Sequence, residues 1–227
     1  MMGVLDNRVA MISGAGTGLG RATSISFATE GADVVLLGRR RPKLEETAQI
    51  VKERTGKEAL VIQTDVSDER QIQEAVTAVL DRFGRVDIIL NNAAVFEPGT
   101  VLELTSSEWQ NQIAINLTGP FLLTKAVLPA MRKAKYGRII NITSGLSWNG
   151  AGGYAAYSAA KAGLESLTRT LADEEHEHGI LANLYNPGTL RTEMHATGKD
   201  PTIVTPDLIR LASLPVGGPT GTIVSYG

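Results

Sequence analysis

Tyr157 and Lys161 stand four residues apart, and on a helix that spacing puts both on one face. A free phenol titrates near pH 10 (about 10) and is a poor base at neutral pH. A nearby ammonium favours the phenolate and lowers that value. Such a pair can move a proton to or from a reacting oxygen. Ser144 precedes Tyr157 by thirteen residues and closes a predicted strand, where its hydroxyl could hydrogen-bond a substrate oxygen. Taken alone, a Tyr-x3-Lys pair is weak evidence, since most are surface pairs.

A second group of residues could bind an anion. A predicted strand runs into Ser13-Gly14-Ala15-Gly16-Thr17-Gly18-Leu19-Gly20-Arg21, and a helix follows. Glycines let the backbone turn sharply and approach a pyrophosphate, and the helix N-terminus offers free N–H groups to it. Gly14, Gly18 and Gly20 are spaced G-x3-G-x-G rather than G-x-G-x-x-G. The alternative is a glycine-rich turn with no ligand. Asn116 lies inside a long predicted helix with Pro120 four residues on. Proline has no N–H, so the Asn116 carbonyl loses its helical partner and is free for a water or the site. A simple kink is the competing reading.

These residues need elements to hold them. Strands are predicted at Arg8–Ile12, Asp33–Leu37, Ala59–Gln63, Val86–Leu90, Gly137–Ile142 and Ile180–Tyr185, with a last short one at Thr222–Ser225. Helices are predicted at Leu19–Glu30, Pro42–Thr55, Asp68–Phe83, Ser107–Lys133 and Tyr154–His178, with Ser107 before Glu108 as one helix start. Continuous apolar strands alternating with helices imply an α/β fold, a doubly wound parallel sheet covered on both faces. Length and short connections fit a single Rossmann-like domain over residues 1–227, with a small lid around 189–214 and one short helix at Pro206–Ser213. The lid is expected to be mobile over an open pocket.

Together these motifs resemble the short-chain dehydrogenase/reductase family over nearly the whole chain. The resemblance implies a catalytic tetrad of Asn116, Ser144, Tyr157 and Lys161. Tyr157 would be general acid in reduction and general base in oxidation, and Ser144 would hold the substrate oxygen. Lys161 would bind the nicotinamide ribose and depress the tyrosine pKa, and Asn116 would anchor a water leading to Lys161. Cofactor contacts are implied for Ser13, Gly14, Thr17, Gly18, Leu19 and Gly20 in the loop, and for Asp65 and Val66 at the adenine. Asn92 and Ala93 of the Asn91-Asn92-Ala93-Ala94 segment follow, then Tyr157 and Lys161, then Pro187, Gly188, Leu190 and Thr192 against the nicotinamide. Ser13 stands where threonine is usual, and Ala94 replaces a glycine.

The expected reaction is hydride transfer between a nicotinamide cofactor and a small carbonyl or alcohol. NADPH is preferred and NAD is possible. Gly38 takes the usual acidic position after the second strand, and Arg39, Arg40 and Arg41 follow it. A carboxylate there would repel a 2′-phosphate, whereas arginine accommodates one. Thr17 gives no help, because many NADP-binding relatives carry a basic residue there. Two rival readings are a 3-oxoacyl-thioester reductase, suggested by Gly137-Arg138-Ile139-Ile140-Asn141, and a non-catalytic dinucleotide-binding sensor. The intact tetrad argues against the sensor.

Composition narrows the partners. A net charge of −2 gives no basic field for nucleic acid. Cysteine is absent, which excludes disulfides and thiolate metal sites. No metal is expected. His176 and His178 point apart on a helix and, with Glu174, Glu175 and Glu177, fit a solvated helix end. His195 reads as an exposed loop residue or a substrate contact. Trp148 and Phe96 would line an apolar pocket near Ser144 or pack in the core. No apolar run approaches a membrane span and no signal peptide is evident, so a cytoplasmic location is expected. The family resemblance implies a homo-oligomer, dimer or tetramer.

Overall fold

Successive residues on the central strands face opposite sides of a sheet, and both sides are apolar. Ala10, Ile12, Leu36 and Leu90 pack into one core, while Met11, Val35, Leu37 and Ile89 pack into another. A strand buried on both faces needs helices on both faces, which is the arrangement of a parallel sheet. The computed structural model describes residues 3–226. Seven parallel strands are ordered β3-β2-β1-β4-β5-β6-β7. They are β1 (Val9–Ser13), β2 (Asp33–Gly38), β3 (Leu60–Gln63), β4 (Ile88–Asn91), β5 (Gly137–Ile142), β6 (Ile180–Asn186) and β7 (Ile223–Ser225). The eight α-helices are α1 (Gly18–Thr29), α2 (Arg41–Thr55), α3 (Glu69–Phe83), α4 (Ser106–Ile113), α5 (Gly119–Ala134), α6 (Leu146–Asn149), α7 (Ala155–Glu175) and α8 (Thr205–Ala212). The fold is a single Rossmann-like domain. From β1 the chain moves out to β2 and β3, then returns to pair β4 on the other side of β1. At this switch the loops after β1 and β4 part, and ligands bind at such crevices.

The predicted helix over Ser107–Lys133 is one continuous rod with a defect. A π-helical turn, Ala114–Thr118, joins α4 to α5, and the Gly119 amide donates to the Ala114 carbonyl five residues back. Pro120 has no amide to offer the Asn116 carbonyl, and one extra residue in the turn re-registers the bonding there. The start of α4 also differs from the expectation. Its cap is Thr105, whose hydroxyl accepts from the Glu108 amide while the Glu108 carboxylate accepts from the Thr105 amide. A reciprocal capping box needs a spacing of three residues, so Ser107 cannot serve.

Other expectations need amendment. The rod Ser106–Ala134 has the length, and one 18-residue window with the mean hydropathy of 1.3, that would suit a membrane span. Its apolar side, with Leu122, Leu123, Val127 and Met131, lies in the sheet core, which accounts for that composition. Glu175 is not part of a solvated helix end. It is buried, and its carboxylate takes two bonds from the Arg132 guanidinium, at 2.8 and 2.5 Å. His176 and His178 sit exposed on a 3-10 turn.

The short helix expected around Pro206–Ser213 is α8, but it belongs to the core. Leu208, Leu211 and Ala212 are buried, and Asp207 accepts a bond from the Tyr185 hydroxyl at 3.0 Å. Only the stretch before it, residues 191–200, is largely exposed.

Candidate active site

The loop after β1 turns through Gly14 and Gly18, both with positive φ, at 66° and 52°. Gly20 is required for another reason: a Cβ there would lie 2.2 Å from the Gly14 carbonyl oxygen. The loop therefore folds onto the start of α1 and leaves its N-terminus open. Ser13 is buried beneath it. Its hydroxyl donates to the Leu90 carbonyl at 3.3 Å and accepts from the amides of Asn92 and Ala93, both at 3.0 Å. The Asn92 side chain donates to the Ser13 carbonyl at 2.9 Å. These bonds lock the loops after β1 and β4 together as two walls of one cleft.

That cleft has a volume of about 640 Å³ and runs from Gly38, Arg39 and Lys43 past Asp65, Val66 and Asn92 to Tyr157 and Pro187. Of the sequence-predicted cofactor residues, Gly14, Thr17, Gly18, Leu19, Ala93, Gly188, Leu190 and Thr192 also line it. Ser13, Gly20 and Lys161 lie behind the lining. Ser13 spends its hydroxyl on the adjoining loop, and Gly20 is pressed against Gly14, so both shape the wall.

β5 and α7 bring the proposed catalytic side chains together. Ser144 and Tyr157 come close enough for the serine hydroxyl to act on the phenol. Burial pushes the Tyr157 pKa up, and the Ser144 hydroxyl, by donating to the phenolate, opposes that rise. Lys161 is buried, with its ammonium donating to the Ile142 carbonyl at 2.7 Å. Among the described residues no carboxylate pairs with it, and burial lowers its pKa to about 8. The Lys161 Nζ lies 5.6 Å from the Tyr157 ring centroid.

Asn116 is fully buried by the π-turn. Its side chain accepts from the Val95 amide at 3.0 Å and donates to the Val95 carbonyl at 2.9 Å. This clamp fixes the chain leaving β4, where Val95 and Phe96 line the cleft. Phe96 stacks on Tyr154, with ring centroids 4.5 Å apart, and meets Tyr157 edge-on at 5.8 Å. Of the two aromatics considered from sequence, Phe96 reaches the cleft, and Trp148 is 90% exposed and does neither job. His195 is exposed and lines the cleft mouth.

Arg40 and Glu193 were missed. They form an ion pair of 2.6 Å between the chain after β2 and the stretch after β6. Their separation of 153 residues leaves no local signal. Glu165 was also missed, but it did leave one. It is a charged residue four after Lys161, on the face of α7 that meets the sheet.

Comparison with known proteins agrees with this geometry. The short chain dehydrogenase family model matches residues 8–201. A 3-oxoacyl-[acyl-carrier-protein] reductase of Synechocystis sp. is 38% identical over 195 residues, covering 85% of this chain and 78% of that protein. The levodione reductase of Leifsonia aquatica is 40% identical over 191 residues, covering 83% and 71%. A crystal structure of levodione reductase superimposes with a TM-score of 0.91 at 30% identity, covering 98% of this chain and 96% of that one. The chain belongs to the short-chain dehydrogenase family and is a nicotinamide-dependent oxidoreductase.

Proposed function

We propose that this protein is an NADPH-dependent carbonyl reductase whose proton donor is Tyr157. The observation that carries the reading is one continuous cleft that joins a glycine-shaped helix N-terminus to the Tyr157 phenol, beside which Ser144 lies. The loop suits a dinucleotide. Gly14 and Gly18 hold a turn that other residues rarely adopt, and it leaves the amides at the start of α1 free for a diphosphate. Thr17, Gly18 and Leu19 would hold that diphosphate, Asp65 and Val66 the adenine, and Pro187, Gly188, Leu190 and Thr192 the nicotinamide. When bound, the cofactor supplies the hydride.

The chain's own residues manage the oxygen and its proton. Ser144 donates a hydrogen bond to the substrate oxygen and orients it against Tyr157. The Tyr157 phenol, kept protonated by burial, gives its proton to that oxygen as negative charge develops there. In the reverse direction it takes the proton back. Lys161, its ammonium bonded to the Ile142 carbonyl, would bind a ribose hydroxyl of the cofactor. Asn116 holds the Val95–Phe96 wall of the cleft.

The side-chain pairing after β2 supports NADPH. Arg40 is paired with Glu193 and Arg41 with Glu45. Among the described residues Arg39 has no ion pair, is exposed and lines the cleft. It would take the 2′-phosphate. Such charge-assisted bonds are worth about 1.5–3 kcal/mol, a preference of roughly ten- to a hundredfold. The ratio of kcat/KM for NADPH and NADH tests this, and equal use would overturn it.

Two relatives bear on the substrate. The 3-oxoacyl-thioester reading has the name of the Synechocystis relative behind it. A small cyclic ketone has that of levodione reductase. The exposed residues 191–200 would act as the lid, and a lid this small favours broad tolerance, read from a ketone panel. Trp109 and Phe121 stay 40% and 44% exposed on the α4–α5 rod, which supports a homo-oligomer, measurable by sedimentation. A cytoplasmic location is part of the same reading, testable by cell fractionation.

A further inference from the structure

Three polar side chains on successive stretches of α7 stitch it to the end of β5. Lys161 donates to the Ile142 carbonyl at 2.7 Å, Thr168 accepts from Asn141 Nδ2 at 2.7 Å, and between them Glu165 accepts from the Thr143 hydroxyl at 2.8 Å. Lys161 and Thr168 each satisfy one backbone or amide group. Glu165 does more. It is only 9% exposed, and a carboxylate is buried at a cost unless its oxygens are bonded. Its Oε1 takes both the Thr143 hydroxyl and the Ser147 hydroxyl, the latter at 2.5 Å. Its Oε2 faces the Arg169 guanidinium at 3.2 Å, which is half in solvent.

Thr143 and Ser147 bracket Ser144. The Ser147 hydroxyl also lies 2.7 Å from the Ser144 carbonyl oxygen, and Ser144 Oγ accepts from the Leu146 amide at 3.3 Å. One carboxylate thus grips both sides of the turn that presents the Ser144 hydroxyl. Glu165 stands two helical turns after Tyr157 on the same helix. Ser144 and Tyr157 are therefore referenced to one rigid element, although they lie on different ones. We propose that Glu165 is a positioning residue: through Thr143 and Ser147 it sets the distance between the Ser144 hydroxyl and the Tyr157 phenol. This rests on the reading of Ser144 and Tyr157 as the reacting pair.

The test uses Glu165→Ala, Glu165→Gln and Ser147→Ala in the full chain, with Tyr157→Phe as reference. Cyclohexanone and ethyl 3-oxobutanoate serve as carbonyl probes with NADPH. Misplacing a reacting group by a fraction of an ångström costs about tenfold or more, so Glu165→Ala should lower kcat by that factor with NADPH affinity within about twofold. Ser147→Ala should lower it in the same direction. Glu165→Gln keeps an oxygen that accepts both hydroxyls and loses only the solvent-facing contact to Arg169, so it should restore most of kcat. The tyrosinate absorbance that Tyr157→Phe removes supplies a readout independent of substrate. Its titration should move to higher pH in Glu165→Ala, because the Ser144 hydroxyl no longer steadies the phenolate. Unchanged kcat and unchanged tyrosinate titration in both Glu165→Ala and Ser147→Ala would overturn the proposal. If Glu165→Ala does not fold, Ser147→Ala decides by the same two readouts. Wild-type turnover by Tyr157→Phe would instead overturn the reading of the reacting pair.

Discussion

Single side chains carry the chemistry, and their cost is visible. Lys161 is buried with no counter-charge among the described residues, and its pKa falls to about 8 from the ordinary lysine value of 10.5. A cation with a depressed folded-state pKa opposes folding below that value, and the opposition fades as pH rises toward the unfolded pKa. Stability should therefore rise between about pH 8 and 10.5. Lys161→Met removes the buried charge, worth about 3 kcal/mol at neutral pH, and loses a hydrogen bond worth about 1 kcal/mol. We expect a net gain of about 2 kcal/mol in urea unfolding at pH 7, together with loss of turnover. The Tyr–Lys pair and the serine before it were legible only jointly with the glycine loop, through the family resemblance, since the spacing of the pair alone fits a surface pair. The direction of the Lys161 ammonium was not, since the Ile142 carbonyl that holds it depends on how α7 docks on β5. Gly38→Asp belongs at this scale too. A Cβ at Gly38 meets only the end of the Leu44 side chain, at 3.3 Å, and the backbone there is ordinary, so the change is accommodated. It should shift the kcat/KM ratio from NADPH toward NADH by roughly tenfold or more, and an unmoved ratio would make Arg39 plain surface charge.

Elements set the distances between those side chains. The π-turn at Ala114–Thr118 is where Pro120 made an irregularity expected, because a missing amide is a local property of sequence. What it does for the site was not legible: Asn116 clamps Val95, a partner 21 residues away in the chain. The glycine loop behaves likewise. Its turn could be read from composition, but only packing distinguishes Gly18, which lines the cleft, from Gly20, which supports it. At Gly18 φ is 52° and a Cβ would lie 2.9 Å from the Thr192 methyl. Gly18→Ala should weaken NADPH binding about tenfold or more in a fluorescence titration while costing only about 1 kcal/mol of stability. Unchanged affinity would mean that the loop does not face the diphosphate.

Across the whole molecule the two ends of the sheet have different tasks. The cleft lies at the carboxyl ends of the strands, where the chain parts between β1 and β4. The opposite end holds a knot of charge. Asp87 is fully buried and accepts from the Val9 amide at 2.9 Å, from Arg8 at 3.2 Å and from Arg85 Nε at 2.8 Å. Asp87→Ala should cost about 2 kcal/mol of unfolding free energy, because both guanidinium groups keep much of their solvent, and leave kcat/KM unchanged. The fold was legible throughout, since alternation of apolar strands with helices permits little besides a doubly wound sheet. Contacts between distant segments, such as Arg40 with Glu193, depend on the finished fold. On the proposed reading, this fold brings a dinucleotide cleft and the Tyr157 phenol to one reacting carbonyl. Single-turnover mixing of NADPH-loaded protein with a panel of ketones tests it most directly. Wild type should consume the bound reduced cofactor, and Tyr157→Phe should bind NADPH with similar affinity and leave it unconsumed. Consumption by Tyr157→Phe at the wild-type rate would contradict the account.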